Sequence, residues 1–489
     1  MSTNATEVAP EDLQQLLDAQ RSAQAADPIP DAETRRDRLD RFVAAVLEHG
    51  QELAEALHTD FGSRPPTTSL ELDVLSGLPA IEATRERFEN WMQPTELPPA
   101  LGGGVPAFLQ HRPKGVVGII GPWNFPVLLV FVPAAEALAA GNRVMIKFSD
   151  VAPRAGEVFA RAVASRMSPE EVTVVNGGIE TATAFSNLRF DHIFFTGSPK
   201  VGRIVAAAAG RNLVPITLEL GGKNPAIVAP DADIADAAKR IAAGRLINNG
   251  QVCLCPDYAF VPEASRDAFV EAYQEAVLSH FPTFIENPDV VACVNDANYA
   301  RVVGLIDDAK NNGAREVVIV PDDERDRVPD AATRRIPPTL LLDTPDDAEI
   351  NTEEVFGPVL VVHTYTDVDE AIDYAAAGEH PLSSYWYGGD TADFQRFLVR
   401  TTSGGVSRND TALAYLNHEA PFGGVGMSGS GAYHGKAGFD TFSHQRTVAQ
   451  SDLPVVVASS LIAPLSPGRV ERVAAAAAQA AEAAVARLG

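Results

Sequence analysis

Residues 115–149 read GVVGIIGPWNFPVLLVFVPAAEALAAGNRVMIKFS. GVVGIIG (115–121) and RVMIKFS (143–149) are short runs rich in β-branched residues, and both predict strands. The apolar stretch Val116–Gly141 is long enough to suggest a membrane span, but Pro122, Asn124, Pro126, Pro133 and Glu136 interrupt it. A buried strand, a loop and the start of a buried helix account for it better.

Working outward, Ala152–Arg166 predicts a helix, VTVVN (172–176) and DHIFFTGS (191–198) strands, Val201–Ala209 a helix and VPITLEL (214–220) a strand. Short β runs separated by helices predict a parallel, doubly wound sheet. The pattern restarts after residue 221. PAIVA (225–229), a helix Ala235–Leu246, YAFV (258–261), VVIV (317–320) and VLVVHTY (359–365) predict a second α/β unit. Residues 321–335, charged and rich in Asp and Arg, read as a surface loop. Residues 10–60 read as helices, with Arg35, Arg36, Arg38 and Arg41 among Leu39, Phe42, Val43 and Val46; the expectation is an amphipathic surface helix with solvated arginines. The alanine-rich Val470–Leu488 is helix-prone, and Arg472, Glu482 and Arg487 exclude it as an anchor. Gly102-Gly103-Gly104 follows no strand and reads as a loop.

The chain has 489 residues, which predicts two or three domains. Its 65 acidic and 39 basic side chains give a formal net charge of -26, a surface that repels nucleic acid and anionic membranes and favours solubility, whether or not the habitat is saline. Three cysteines, Cys253, Cys255 and Cys293, are too few for a disulfide framework and fit a reducing cytoplasm. The opening MSTNATEVAPEDLQQ has no basic region followed by an apolar run, so no signal peptide is expected.

Three segments carry chemistry. Asn-Gly-Gln-Val-Cys (249–253) places a cysteine in a glycine-containing loop, where a sharp turn exposes the sulfur as a nucleophile; a lone cysteine is more often a small buried hydrophobe. Thr-Leu-Glu-Leu-Gly-Gly-Lys (217–223) puts Glu219 at the carboxyl end of an apolar strand, where doubly wound sheets bind ligands, although an isolated glutamate is by default a solvated loop carboxylate. Gly-Pro-Trp-Asn-Phe-Pro (121–126) is stiffened by two prolines, so Asn124 projects a rigid amide suited to an oxyanion.

In this order the three segments resemble the aldehyde dehydrogenase superfamily. Phe-Thr-Gly-Ser-Pro-Lys-Val-Gly (195–202), Glu-Glu-Val-Phe-Gly-Pro-Val (353–359) and Pro-Phe-Gly-Gly-Val-Gly-Met-Ser-Gly (421–429) resemble further blocks of that family, over residues 35 to about 450. Residues 250–258, Tyr-His-Gly (433–435) and Gly-Phe-Asp-Thr-Phe-Ser-His (438–444) resemble the class 3 branch, and Asp-Phe-Gly-Ser-Arg (60–64) with Trp91-Met92 resembles its coniferyl aldehyde dehydrogenases. The resemblance implies two doubly wound α/β domains, a Rossmann-like cofactor domain (1–220, interrupted by a bridging arm near 100–114) and a catalytic domain (221–444). A small oligomerisation arm with a helical tail (445–489) would follow, and the assembly would be a cytoplasmic homodimer.

It also implies a covalent route. Cys253 attacks the aldehyde, Asn124 and the Cys253 N–H hold the oxyanion, hydride leaves for the nicotinamide, and Glu219 activates water on the thioester. NAD, with NADP possible, would be held by Lys147, Asp150, Gly197, Ser198, Gly202, Leu220, Glu354 and Phe356, its pyrophosphate at the helix beginning near Pro199. Trp123, Phe125 and Phe442 would wall the pocket for an aromatic or long unsaturated aldehyde, unless they are core residues. His434 and His444 lack neighbouring ligands, so packing or hydrogen bonding is expected and no metal.

Two positions depart from the family. Lys-Phe-Ser-Asp (147–150) stands where Lys-Pro-Ser-Glu is usual, which shortens the carboxylate and frees the loop from a proline. Cys255 stands where the branch carries a small uncharged residue, and a disulfide across two positions is strained, so a filler role is expected over redox protection. Two other functions compete: a dehydrogenase passing the acyl group to coenzyme A, for which Glu219 would be wasteful, and a non-catalytic protein on this fold, for which both Cys253 and Glu219 would be superfluous.

Overall fold

The computed structural model describes residues 8–100, 105–451, 453–454 and 468–488. Gly102–Gly104 lie outside them. The described chain forms two compact units, Met1–Gln93 with His111–Gln445 and Pro94–Gln110 with Arg446–Gly489.

Helices Leu13–Ala26, Ala32–Glu48, Gly50–Phe61 and Leu78–Trp91 come first, with a π-helical turn Leu70–Leu75. A hairpin follows: β1 (Thr95–Ala100) pairs antiparallel with β2 (Val105–Pro113), Thr95 opposite Leu109. The larger unit then lays down β3 (Val116–Ile120), β4 (Arg143–Lys147), β5 (Val172–Val175), β6 (His192–Gly197) and β7 (Ile216–Leu220), all parallel. A second run gives β8 (Asn224–Val228), β9 (Pro256–Pro262), β10 (Arg315–Val318), β11 (Thr339–Leu342), β12 (Val359–Tyr365), β13 (Ser383–Tyr387) and β14 (Gly405–Arg408). Finally β15 (Gly429–Ser430) returns antiparallel to β7, and β16 (Ser443–Ala449) flanks β2.

The first sheet has the order β15-β7-β6-β3-β4-β5 and the second β10-β11-β12-β9-β8-β13-β14, with only β10 antiparallel in the latter. The fold is therefore α/β, as the alternation of strands and helices predicts. Every residue of β3, β4 and β8 is buried, because helices cover both faces of a parallel sheet. In the first sheet the chain moves outward from β3 to β5, then returns to lay β6 and β7 on the other side. The direction reverses between β3 and β6, and open α/β sheets bind ligands beyond the carboxyl ends of their strands at such a point. The loop 121–126 leaves β3 there, and Ser198 follows β6.

Val116–Gly141 is strand, loop and a buried helix, Leu128–Ala139, which tolerates Pro133. Among the described residues no helix is long and apolar enough to cross a membrane. Sequence reading misses β11, β13 and β14, which have four or five residues each and too little pattern to separate strand from loop. It also sets one strand two residues late: β10 is 315–318, and Ile319 and Val320 are buried beyond it.

The solvated arginines need correcting at two positions. Arg35 and Arg38 are buried, whereas Arg36 and Arg41 stay partly exposed and pair with Glu89 and Glu171. Arg35 donates from Nε to the Pro30 carbonyl (2.9 Å) and from Nη1 to the Ala139 carbonyl (3.2 Å), at the C-terminal end of the helix Leu128–Ala139. Five fixed donors make arginine suited to bridging carbonyls that the helix leaves unpaired. Arg35→Ala is expected to lower unfolding stability by about 2 kcal/mol or more, through unsatisfied carbonyls and lost packing, and Arg36→Ala by less than about 0.5 kcal/mol. Denaturant midpoints of the two variants check this.

Candidate active site

The helix Ile234–Leu246 ends in Asn248, Asn249 and Gly250, with φ of 50°, 52° and 79°. Asparagine and glycine tolerate this left-handed backbone best. At Gly250 a side chain would also collide with the Gly357 carbonyl. The turn carries the chain to Cys253, which is partly exposed, while Cys255 is buried. The Cys255 thiol donates to the Gly244 carbonyl (3.2 Å), which turns it under the helix and makes it filler.

Amides hold the cysteine loop. Asn224 Nδ2 donates to the carbonyls of Cys253 (2.7 Å) and Cys255 (2.9 Å), and its Oδ1 accepts from the Ser383 N–H (2.9 Å). Gln251 Nε2 donates to Asn248 (3.0 Å) and Ala292 (3.1 Å), while its Oε1 accepts from Val294 (3.1 Å). The loop after β3 meets this loop directly: Asn124 Nδ2 donates to the Gln251 carbonyl at 3.1 Å. Asn248 Nδ2 donates back to the Asn124 carbonyl at 3.3 Å.

Glu219 stands on β7, opposite Thr196 on β6, and both of its carboxylate oxygens are buried without a hydrogen-bond partner. Phe194, which shares that sheet face with Thr196, packs its ring on Tyr433 (5.1 Å). Burial alone lifts the Glu219 carboxyl well above the usual glutamate range. Burial also pushes the Cys253 thiol far up, and the nearby Glu354 and Glu219 carboxylates push it further. The structure thus gathers Cys253, Glu219 and Glu354 within electrostatic reach, and ties Asn124 to the cysteine loop.

The cofactor-binding expectations fall around the β3/β6 switch point. Ser198 caps the helix Pro199–Arg211, its side chain accepting from the Val201 N–H (3.4 Å), so the helix N-terminus opens beside Gly197. Leu220 packs on Gly202, where any side chain would clash with it. Lys147 is buried at the end of β4, its Nζ donating to the Phe148 carbonyl at 2.8 Å, and Asp150 is exposed in the following turn. Phe148 corrects one expectation. Its ring is buried against Phe159 (5.3 Å), so packing restrains the loop where the proline is missing.

Glu354 lies against Gly221, facing the Gly222 N–H. Phe356, with φ of 47°, packs on Trp123 (5.3 Å). A helix N-terminus for phosphate and the half-buried Glu354 carboxyl for ribose hydroxyls fit a dinucleotide. Among the pocket aromatics, Trp123 is partly exposed and Phe125 is buried beneath the Arg64 guanidinium (5.0 Å). Phe442 is a core residue and no pocket wall: it is fully buried against His192 (5.7 Å) and Phe194 (5.9 Å). His434 is buried in an aromatic cluster, His444 is exposed, and no group of metal-holding side chains occurs among the described residues.

The sequence profile of the aldehyde dehydrogenase family matches residues 2–448. The chain belongs to that family. The enzyme is 45% identical to a "Probable coniferyl aldehyde dehydrogenase" of Caulobacter vibrioides over 90% of its own chain and 91% of the relative. It is 40% identical to a "Coniferyl aldehyde dehydrogenase" of a Pseudomonas species, over 92% of each chain. Its fold matches the substrate-bound Staphylococcus aureus AldH with a TM-score of 0.86 at 33% identity, over 95% of this chain and 99% of that one. It is an NAD(P)-dependent oxidoreductase acting on small-molecule aldehydes.

Sequence reasoning misses the residues that hold the enzyme's site: Arg64, Asp73, Asn224, Asn248 and Gln251. Asn-Asn-Gly before Gln251 is a left-handed turn signal that could have found Asn248. The others act through partners remote in sequence.

Burial raises the Glu354 carboxyl to about 8, helped by Asp257 and opposed by the Gly222 N–H, Lys223 and Arg245. The folded enzyme then holds a proton that the unfolded chain releases in the ordinary carboxyl range, so this group's stabilising contribution falls as pH rises toward about 8. Glu354→Gln is expected to melt increasingly above wild type between pH 5 and about 8, with no further gain beyond. Melting temperatures across that range test the sign.

Proposed function

We propose that the enzyme oxidises aromatic or long-chain unsaturated aldehydes, of the coniferyl aldehyde kind, to carboxylic acids through a thioester on Cys253. The bond between Asn124 and the cysteine loop carries this reading, because it sets an amide donor beside a nucleophile. The coniferyl aldehyde dehydrogenase names of two relatives support the substrate class, as does the aromatic pair Trp123 and Phe356.

Cys253 supplies the nucleophile. Burial and the neighbouring carboxylates raise its thiol's affinity for the proton, so attack calls for a proton acceptor. Glu219, whose burial raises its proton affinity, serves that role and later takes a proton from the water that attacks the thioester. Asn124 and the Cys253 N–H donate to the oxyanion formed in both steps. The bound nicotinamide supplies the two-electron acceptor. Ser198 and the helix beginning at Pro199 would hold its pyrophosphate, with Gly197, Gly202 and Leu220 also on the cofactor's side; Lys147 and Asp150 would hold the adenosine ribose, and Glu354 and Phe356 the nicotinamide half. Trp123 and Phe125 line and support the aldehyde side.

Cys253→Ala should abolish oxidation with cofactor affinity nearly intact, while Cys255→Ala keeps most activity; near-normal turnover by Cys253→Ala sinks the covalent route. Glu219→Gln should slow turnover by about 10²-fold or more. Rapid mixing separates its two roles: a burst of reduced cofactor at the wild-type rate before slow turnover assigns Glu219 to hydrolysis, and a slowed burst assigns it to thiol deprotonation as well. Assays at 340 nm over an aldehyde panel read both and rank substrates.

For the cofactor the reading is NAD over NADP with modest discrimination, because Asp150 offers the ribose a carboxylate that repels a 2′-phosphate but is short by one methylene. Asp150→Asn should raise NADP efficiency relative to NAD, and kcat/KM for both cofactors in both proteins tests it.

A cofactor domain to residue 220 and a catalytic domain over 221–444 belong to the same proposal; in their support β7, the last parallel strand of the first sheet, ends at Leu220, and β8 of the second begins at Asn224. A homodimer is part of the same proposal: β14 is a sheet edge, and Val406, Leu413 and Leu416 beside it are exposed. Three free cysteines suit a cytoplasmic setting.

A further inference from the structure

We propose that Arg64 and Asp73, a fully buried ion pair remote from the cysteine loop in sequence, are positioning residues that set the oxyanion donor Asn124. The proposal rests on the reading of Asn124 as that donor.

Arg64 Nη1 contacts Asp73 Oδ2 at 3.2 Å and donates to the Asn124 carbonyl at 3.1 Å. Asp73 Oδ1 accepts the N–H groups of Val127 (3.1 Å) and Leu128 (2.8 Å), at the start of the helix Leu128–Ala139. The pair therefore grips both ends of the turn 124–128, one end by its carbonyl and the other by its amides. The guanidinium lies between two rings, Phe61 at 4.9 Å and Phe125 at 5.0 Å, and Phe125 belongs to the gripped turn. Its Nε and Nη2 are buried without hydrogen-bond partners, so Asp73, Asn124 and the two rings fix it.

Replacing a buried ion pair by apolar side chains is often neutral for stability, so stability alone is a weak reason for this one. Geometry is a stronger one. A primary amide has two N–H donors. One of Asn124's goes to the Gln251 carbonyl, which leaves the other for the oxyanion. Arg64 and Asn248 hold the backbone carbonyl of Asn124 from behind, and Gln251 holds the tip of its side-chain amide, so the residue is fixed at its root and at its end and the free N–H is directed by both. Both bonds leave one nitrogen, Nη1, whose place is set by the planar guanidinium seated between the two rings; a lysine ammonium on a shorter side chain has no plane to seat there. A displacement of about 1 Å in a positioned donor costs on the order of 10²-fold in rate.

The test is a double-mutant cycle on the full chain, read as the first-turnover rate of reduced-cofactor formation at 340 nm, with KM for aldehyde and cofactor, and melting temperature alongside. Arg64→Lys is expected to slow the first turnover by about tenfold or more, with both KM values within about twofold. Asn124→Ala should slow it by about 10²-fold or more. In the Asn124→Ala background Arg64→Lys should cost less than about threefold, because its effect passes through the missing amide. Full additivity in the cycle overturns the positioning role. An unchanged rate in Asn124→Ala instead removes the oxyanion reading, and the proposal falls with it. Should Arg64→Lys fail to fold, Asp73→Asn, which keeps the shape and loses the charge, takes its place with the same expected cycle.

Discussion

One hydrogen bond joins the two halves of the chemistry: the Asn124 side chain to the carbonyl of Gln251. Asn124 belongs to the loop after β3 of the first sheet, and Gln251 to the loop before β9 of the second. Cys253 and Asn124, the proposed nucleophile and oxyanion donor, therefore lie on loops of different sheets, and their relative placement is only as good as this junction. The surrounding amides serve it. Asn248 bonds both the Asn124 and Gln251 carbonyls, Gln251 closes on Asn248, Ala292 and Val294, and Asn224 holds Cys253 from beneath. Four uncharged amides suit this task, because each donates and accepts at once and none adds a charge beside a thiol that must ionise.

The charges the site does carry are kept short of compensation. Glu219 has no hydrogen-bond partner for either oxygen, and Glu354 faces one backbone N–H. Both carboxyls are lifted by burial, and both raise the Cys253 thiol. Asp257, by contrast, is paired: it meets both Arg245 and Lys223, and accepts the Val355 N–H. That paired cluster anchors the segment carrying Glu354, so an uncompensated carboxyl is presented from a compensated base.

The sheets account for where these loops lie. β3 and β6 adjoin at the reversal of strand order, so Asn124 and Ser198 leave the first sheet at the same edge of a crevice. Glu219, near the end of the neighbouring β7, takes its direction from the strand's two-residue alternation, with Thr217 on the same face bonded to His192 (3.0 Å). Close approaches at Gly202 and Gly250 let a helix and a turn come near enough to shape the cleft.

The sequence by itself determined the alternation of strands and helices, the two-sheet plan, the loops bearing Cys253 and Asn124, and the strand end bearing Glu219. Those features are local: periodicity, proline and glycine punctuation, and short motifs are complete within a few residues. It also led to the expectation that Cys255 forms no disulfide with Cys253, since a bond across two positions is strained wherever the thiol points. Only the tertiary structure decided that Arg35 and Arg38 are buried, that Phe442 is core, and that the Phe148 ring restrains the loop where proline is lost. Only the tertiary structure brought Arg64 and Asp73 behind Asn124. An arginine among apolar residues reads the same on a solvated face as beneath a helix end, and what separates the two is a carbonyl or carboxylate far away in the chain. Hydrogen-bond partners and burial are properties of the packed whole, and no window of neighbouring residues contains them.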